Sequence, residues 1–202
     1  MRKIVALTFV SLDGIMQAPG GPEEDTSGGF TLGGWTFPYF DETLGQAMDR
    51  QMREPFDLLL GAKTYDIFAA HWPKQPDADP GAAVLNRARK YVVSHEPREL
   101  AWQNSTLIEG DVAAKIRALK GGDGPMLQVH GSSNLLQTLL RHDLVDELWL
   151  KIFPVTLGTG KRLFGEGTIP AAFTLLESNA SPSGVILASY RRSGDVKTGS
   201  FA

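Results

Sequence analysis

Cysteine is absent from this chain of 202 residues. Its absence excludes a disulfide framework, metal sites built on thiolates and a cysteine nucleophile. The four histidines show neither the HxxxH nor the HExxH spacing of a metal-binding helix, so we expect no metal site. The chain also lacks a GxSxG turn, and serine hydrolase chemistry therefore has no support.

Long apolar runs are missing as well. No stretch approaches the roughly 20 apolar residues that a membrane helix needs. The basic start, MRKIVALTFVSLDG, is short for a secretory signal and has no small-residue cleavage site after it. The net charge is −3, and lysines and arginines are scattered. We therefore expect a cytoplasmic protein without nucleic-acid or membrane partners.

The usual nucleotide fingerprints are also lacking. A Rossmann site needs GxGxxG directly after the first strand, where this chain has SLDGIM. The segment GTGKRLFG (158–165) has two glycines before its lysine region but lacks the upstream glycine and the trailing Ser or Thr of a P-loop. A nucleotide bound here must therefore be held in another way.

What is present is an alternation of strand-like and helix-like segments. Strands are predicted at 4–10, 56–61, 90–94, 105–110, 125–131 and 147–155, and helices from 42 and at 62–70, 111–120 and 132–142. Segments 173–178 and 184–192 look like an antiparallel pair. This order predicts an α/β domain over 1–192, with a mainly parallel sheet, helices on both faces, an antiparallel edge and a polar tail at 193–202.

Two segments can each be interpreted in two ways. The glycine-rich stretch 16–38 is too long for an ordinary connection, and its aromatic residues, Trp35 and Phe37 among them, form either the core of the loop or a wall for a flat ligand. Asp13 follows the first strand in SLDG. It is either part of a common Asp-Gly turn or a carboxylate aimed at a ligand.

Three strands end in glycine or serine just before a polar or helical segment, in LLLGAKT, YVVSHE and QVHGSSN. Each ending has an ordinary explanation, since Gly61 suits a turn and Ser132 or Ser133 suits a helix cap. Ligands of open α/β sheets bind at the carboxyl ends of parallel strands, where helix N-termini favour anions. Together, the three endings predict a site for one extended anionic ligand.

The order of motifs resembles the reductase family that contains dihydrofolate reductase and, more closely, the RibD-type reductase domain of riboflavin biosynthesis. The motifs are FVSLDG (9–14), LLLGAKTY (58–65), KYVVS (90–94), VHGSSNLLQTLL (129–140) and LVDELWLKIFPVTLGTGKRLF (144–164). They span the chain from about residue 2 to 191. The resemblance implies a dihydrofolate reductase-like fold and a homodimer.

The resemblance also implies NADPH as cofactor, lying across the strand ends with its phosphates on two helix N-termini. Carried over to this chain, the phosphate ligands are Gly61, Lys63, Thr64, Gly131, Ser132, Ser133 and Asn134. Ser94 and His95 would lie near the adenosine ribose, and Ala6, Gly14 and Ile15 would flank the nicotinamide. The family often has a basic residue where this chain has Ala62, so Lys63 would have to supply that charge.

The substrate side departs from dihydrofolate reductase, which keeps a carboxylate on its first helix. The matching position falls near Gly45, and the neighbouring Asp41, Glu42 and Asp49 do not match it cleanly. The resemblance to the RibD-type enzyme implies that an aspartate at the position of Asp13 takes part in the reaction. We therefore predict Asp13 as catalytic. Substrate-binding residues are predicted at Trp35, Phe37 and Pro154.

These expectations add up to an NADPH-dependent oxidoreductase. It would transfer a hydride to a small heterocyclic, carbonyl or imine substrate and resemble the riboflavin-pathway reductase of a phosphorylated aminopyrimidine. A non-catalytic NADPH-binding module and a dihydrofolate reductase-type enzyme are the alternatives.

Overall fold

A mixed eight-stranded sheet forms the centre of the fold in the computed structural model, which describes residues 1–76 and 78–201. The strands are β1 (Ile4–Ser11), β2 (Phe56–Gly61), β3 (Lys90–Val93), β4 (Ser105–Ile108), β5 (Met126–His130), β6 (Glu147–Phe153), β7 (Ala172–Ala180) and β8 (Ile186–Gly194). Their order is β4-β3-β2-β5-β1-β6-β8-β7. Strands β1 to β6 are parallel to one another, and β8 pairs antiparallel with β6 and with β7. The predicted α/β fold with an antiparallel edge is confirmed.

Five α-helices connect and cover the strands of the described chain. They are α1 (Glu42–Gln51), α2 (Ala62–His71), α3 (Pro80–Arg87), α4 (Val112–Gly121) and α5 (Ser133–Arg141). Asp41 caps α1 and Asp111 caps α4, because Asp41 accepts a hydrogen bond from the Leu44 N–H and Asp111 accepts one from the Ala114 N–H. No helix of the described chain is long and apolar enough to cross a membrane.

Helix α3 was not predicted from the sequence, although it carries a recognisable start signal. Its cap is Asp79, whose carboxylate accepts from the Ala82 N–H at 2.9 Å, and Pro80 stands at the first helical position. Proline suits that position because its missing N–H would have no helical partner.

The two faces of the sheet carry separate apolar cores, as the period-two alternation of strand side chains requires. On one face, Leu59 of β2 belongs to the cluster that contains Ile116 of α4 and Leu136 of α5. On the other face, Leu58 belongs to the cluster that contains Tyr65 of α2. Helices therefore cover both sides of the strands whose ends were predicted to bind a ligand.

Several boundaries differ from the sequence predictions. Strand β6 ends at Phe153 rather than at residue 155, and β8 continues to Gly194, two residues into the predicted tail. The stretch 16–38 is ordered around the β6 end, where the Trp35 ring packs edge-on against Phe153 at 5.3 Å between centroids. A buried aromatic pair of this kind explains how a glycine-rich loop holds one conformation.

We expect Leu136→Ala to lower the free energy of unfolding by about 2–5 kcal/mol, because its side chain is fully buried between α5 and the sheet. Urea denaturation followed by circular dichroism measures the loss. Leu32→Ala is the matched control, since Leu32 is 50% exposed and its truncation removes little packing. Equal losses in the two variants would contradict this description of the core.

Candidate functional site

A cavity of about 1170 Å³ runs along the carboxyl ends of the parallel strands. It begins beside the segment after β4, passes the ends of β3, β2 and β5, and continues over β1 to β6. Residues 16–25 form its rim on one side, and α1 and α2 form the wall on the other. Pockets for drug-sized ligands have volumes of roughly 300–1,000 Å³, so this cavity has room for a larger ligand or for two ligands.

The three predicted strand endings do meet at one edge. Since β3, β2 and β5 are consecutive in the sheet, Ser94, Gly61 and Gly131 lie side by side. Nine of the twelve predicted cofactor ligands line the cavity, and they are Gly61, Lys63, Thr64, Ser94, His95, Gly131, Ser132, Ser133 and Asn134. Their assembly in one cavity is observed, whereas their contact with a cofactor stays a prediction.

The ends of β2 and β5 are joined by an unusually close approach. A Cβ atom on Gly61 would lie 2.0 Å from the Ser132 Oγ and 3.2 Å from the Ser132 Cβ. Ser132 itself has φ +74°, a left-handed conformation that is strained for a residue with a side chain. A side chain at position 61 would therefore displace the Ser132 hydroxyl and crowd the Ser132 Cβ, and the turn brings the start of α5 against the start of α2.

The prediction that Ser132 or Ser133 caps α5 needs correction. Ser132 occupies the N-cap position, yet its side chain makes no capping hydrogen bond. The left-handed backbone at Gly131 and Ser132 turns the chain in a way that ordinary extended caps do not. The sequence pattern Gly-Ser-Ser could not reveal this conformation.

Lys63 has a partner that the sequence did not suggest. Asp25 accepts hydrogen bonds from the Lys63 Nζ and the Lys161 Nζ, both at 2.6 Å, and from the Ser27 hydroxyl. Burial alone would raise the pKa of Asp25, but these hydrogen bonds together hold it well below its usual value. Asp25 thus joins the rim of the cavity to α2 and to the segment after β6.

Asp13 lies outside the lining of the cavity and holds a turn. Its carboxylate accepts hydrogen bonds from the Ser11 hydroxyl at 2.5 Å and from the N–H groups of Leu157 and Gly158, the latter at 2.7 Å. The hydrogen bond from Ser11, with smaller contributions from the two backbone groups, holds the pKa of Asp13 below its usual value. Of the two open explanations for SLDG, the structure favours the turn. A catalytic role stays an untested prediction.

The other predicted residues also lie off the cavity lining. Ala6 and Ile15 are fully buried, and Gly14 (φ +84°) belongs to the Asp13 turn. Trp35 is buried in the loop core, where its indole N–H donates to the Gln17 carbonyl at 2.8 Å. Two further residues were predicted to bind substrate: Phe37 is 81% exposed, and Pro154 stands beside Gly184. Of the two open interpretations of the aromatic residues, the loop core accounts for Trp35, and binding of substrate by Trp35, Phe37 and Pro154 stays a prediction.

At the β6 end, the cavity contains a buried lysine that sequence reasoning missed. Lys151 is 4% exposed, its Nζ donates to the Gln51 Oε1 at 2.5 Å, and it stands 5.6 Å from the ring centroid of Phe9. Burial lowers the pKa of Lys151 to about 7. In the sequence, Lys151 is a single lysine inside the apolar strand ELWLKIF. An ordinary strand lysine gives the same pattern, so the sequence does not single it out.

His130 borders the same end of the cavity. Its Nε2 lies 2.8 Å from the Gln128 Oε1, and the Phe68 ring stands 6.0 Å away. Burial, with a smaller contribution from the charge of Lys151, lowers the pKa of His130 to about 3. His130 is therefore neutral at pH 7 and serves as a hydrogen-bonding group there.

Helix α1 contributes no carboxylate to the described cavity wall. It lines the cavity with Met48, Gln51 and the adjoining Met52, whereas Asp41 is occupied as the helix cap. The departure from dihydrofolate reductase noted in the sequence is therefore real in three dimensions. The β6 end of this cavity combines apolar side chains with an amide and an amino group.

The model of the RibD C-terminal domain family matches residues 2–187. Among curated proteins, the uncharacterised protein YyaP of Bacillus subtilis (strain 168) is 29% identical over 140 residues, which make up 68% of this chain and 74% of YyaP. The uncharacterised protein YwjB of the same organism is 27% identical over 170 residues, covering 83% of this chain and 85% of YwjB.

Solved structures share the fold. A putative riboflavin biosynthesis protein from Shewanella sp. PV-4 has a TM-score of 0.62 at 21% identity and covers 95% of this chain and 99% of its own. Dihydrofolate reductase from Enterococcus faecalis, complexed with NADP(H), has a TM-score of 0.59 at 13% identity, covering 94% and 96%. A deaminase/uracil reductase from Thermotoga maritima has a TM-score of 0.58 at 13% identity, covering 95% of this chain and 57% of its own.

The buried Lys151 predicts a specific pH dependence of stability. The unfolded chain protonates this lysine with a pKa of about 10.4, whereas burial lowers the pKa to about 7 in the folded chain. Between these values the unfolded state binds more protons, so the stability that Lys151 contributes increases as pH rises. We expect the free energy of unfolding of the wild type to rise relative to that of Lys151→Met from about pH 7 to about pH 10.

Urea denaturation across this pH range measures the effect. Lys197→Met is the control, because Lys197 is exposed in the C-terminal segment and its removal changes the net charge equally. A difference between wild type and Lys151→Met that stays constant with pH would show that Lys151 titrates as an ordinary surface lysine.

Proposed function

Since the chain belongs to the RibD C-terminal domain family, we propose that it is an NADPH-dependent reductase of a small flat acceptor. The observation that carries this proposal is one continuous cavity that extends from the Gly61–Ser132 contact to Lys151 of β6. One part of the cavity suits an extended anionic cofactor, and the other suits its reaction partner. NADPH would supply the hydride, and the chain would align the two ligands and exclude water.

The cofactor half is proposed from the helix N-termini that border it. The first residues of α2, α4 and α5 all line the cavity, as Ala62, Val112 and Ser133 do. Helix N-termini offer N–H donors and a positive dipole end to phosphate. Ser132, the N-cap residue of α5, does not use its side chain as a cap, which suits a pyrophosphate as the acceptor for that first turn.

The spacing of the strands supports an extended cofactor. Neighbouring strands lie about 4.8 Å apart, so the three steps from β3 through β2 and β5 to β1 span about 14 Å. An adenosine at Ser94 and a nicotinamide over β1 would use that span, with the pyrophosphate between Gly61 and Gly131. The substrate would then lie between β1, β6 and α1.

Lys63 is the proposed partner of the extra phosphate that distinguishes NADPH from NADH. Its side chain is 53% exposed at the cavity, and its ammonium now pairs with Asp25. Asp25 also pairs with Lys161. A phosphate can therefore form an ion pair with Lys63 while the Asp25 carboxylate remains paired with Lys161. This exchange would compensate for Ala62, which stands where the family often has a basic residue.

We expect the wild type to bind NADPH, and nucleotide fluorescence measures this binding. Gly61→Ala should bind NADPH about tenfold more weakly, which corresponds to a loss of about 1.4 kcal/mol of binding free energy. The new methyl group would meet Ser132 and push its hydroxyl into the space proposed for the phosphate. The double variant Gly61→Ala/Ser132→Gly removes the obstructing atoms and should recover most of the affinity.

Gly45→Ala is the matched control, because a Cβ there has nothing within 4 Å and alanine suits a helix better than glycine. Absence of NADPH binding by the wild type at millimolar cofactor would refute the proposed function. NADPH binding without oxidation across a panel of carbonyl and imine acceptors would instead favour the non-catalytic alternative.

A homodimer remains part of the proposal. Strand β7 is an unpaired edge of the sheet, and Leu175, Leu176 and Ile186 on β7 and β8 are 49%, 43% and 44% exposed. Open apolar edges of this kind pair with other chains. We propose that two copies associate through β7 and β8.

Sedimentation equilibrium should give twice the chain mass of 21.9 kDa for the wild type. Leu175→Asp should shift the equilibrium to the monomer, because it places a charge on the proposed interface. Leu32→Asp, at an exposed leucine in the loop 16–38, should leave the mass unchanged. A monomeric wild type would refute the dimer without bearing on the reductase proposal.

A further inference from the structure

Lys151 is a buried cation without a carboxylate partner. Its Nζ makes one hydrogen bond, to Gln51, and within residues 1–76 and 78–201 it forms no ion pair with a carboxylate. The ammonium group has three donors, so most of its hydrogen-bonding capacity is unused by the described chain. A buried charge in this condition costs stability.

The position of Lys151 separates it from the phosphate ligands. Lys151 is directly opposite Phe9 of β1 in the parallel register, and β1 lies between β6 and β5. Two strand steps, about 10 Å, therefore separate Lys151 from the strand that ends at Gly131. At this distance the Lys151 ammonium would lie beside the proposed hydride acceptor and not beside the pyrophosphate of the proposed cofactor.

The groups that face Lys151 do not neutralise it. Gln51 of α1 is an amide, Phe9 of β1 is apolar, and His130 of β5 is neutral at pH 7. The described residues around this end of the cavity thus supply a dipole and a ring face but no negative charge within ion-pair distance.

Three of the four carboxylates elsewhere on the described cavity wall are engaged in other contacts. Asp25 pairs with Lys63 and Lys161, and Asp111 caps α4. Glu24 accepts from the N–H groups of Gly20 and Gly21. The fourth, Glu23, is exposed and forms no ion pair with Lys151, which leaves a bound ligand as the partner that Lys151 lacks.

We propose that Lys151 binds an oxygen atom of the substrate that carries negative charge or acquires it during reduction. This inference rests on the proposed reductase function and narrows its substrate to flat carbonyl compounds, such as enones, quinones or cyclic imides. The apolar side chains of Phe9, Met16 and Met48 around the cavity suit the body of such a molecule.

The chemistry of carbonyl reduction matches a lysine at this place. When a hydride adds to the carbonyl carbon, or to the β-carbon of an enone, an electron pair moves onto the oxygen. A proton from the Lys151 Nζ then completes the alcohol or enol, and the neutral amine regains a proton from water. The protonated lysine lowers the energy of the developing oxyanion in a site with little water.

The same lysine argues against substrates that are reduced as cations. A pterin-type imine is reduced after protonation, and a neighbouring ammonium disfavours that positive charge. A carboxylate would favour it, but α1 turns Met48, Gln51 and Met52 towards the cavity. The electrostatics therefore separate this site from that of a folate reductase.

The test uses 2,4-dinitrophenolate, a flat aromatic oxyanion, and 1,3-dinitrobenzene, its neutral counterpart, with the purified full chain at about pH 6, where the phenolate stays ionised and Lys151, with a pKa of about 7, is mostly protonated. The wild type should bind the anion about tenfold more tightly than dinitrobenzene, which corresponds to about 1.4 kcal/mol. Lys151→Met should lose this preference while binding dinitrobenzene unchanged, and Lys151→Arg should keep part of it. Lys197→Met, which removes an equal charge outside the cavity, should behave as the wild type.

Two results would overturn the role of Lys151. One is equal binding of the anion by wild type and Lys151→Met, and the other is a wild type that shows no preference for the anion. NADPH binding by the same variants, followed by nucleotide fluorescence, is the independent readout. Absence of NADPH binding by the wild type would refute the reductase function. An unchanged NADPH affinity in Lys151→Met would show that the variant is folded and that Lys151 acts on the acceptor.

Discussion

The contact between Gly61 and Ser132 is the constraint on which the rest of the site depends. Because β2 and β5 are neighbours in the sheet, the helices that follow them start side by side. The absence of a side chain at Gly61 lets the Ser132 turn approach to a distance that a Cβ would forbid. The positive N-terminal ends of α2 and α5 therefore border one cavity. Without the close approach of Gly61 and Ser132, the two turns would be ordinary strand-to-helix connections.

Charge divides the cavity into two parts with different chemistry. Around Asp25, two lysines and one carboxylate form a compensated cluster at the rim, which an incoming phosphate can rearrange. At Lys151, one buried ammonium faces amides and apolar groups. The first part suits a cofactor that brings several negative charges. The second suits a smaller molecule with a single electron-rich oxygen, because Lys151, unlike the other described lysines that line the cavity, has no partner carboxylate.

Much of the fold and the cofactor half of the site could be predicted because their signals are local. A buried strand that ends in glycine before a helix is visible in LLLGAKT and QVHGSSN, and parallel strands must end at one edge. The acceptor half had no local signal. Trp35 and Phe37 look like ligand-binding aromatics, yet Trp35 fills the loop core and Phe37 points outwards. Lys151 looks like any strand lysine until its burial is known.

The sequence by itself determined the alternation of strands and helices, the glycine at position 61 and the family, because periodicity, turn residues and motif order are properties of neighbouring residues. Only the tertiary structure decided which side chains meet across the sheet. It paired Asp25 with Lys161, turned Asp13 away from the cavity and set Lys151 against Gln51. These contacts join residues far apart in the chain, and their energies depend on burial, which no local pattern of residues specifies.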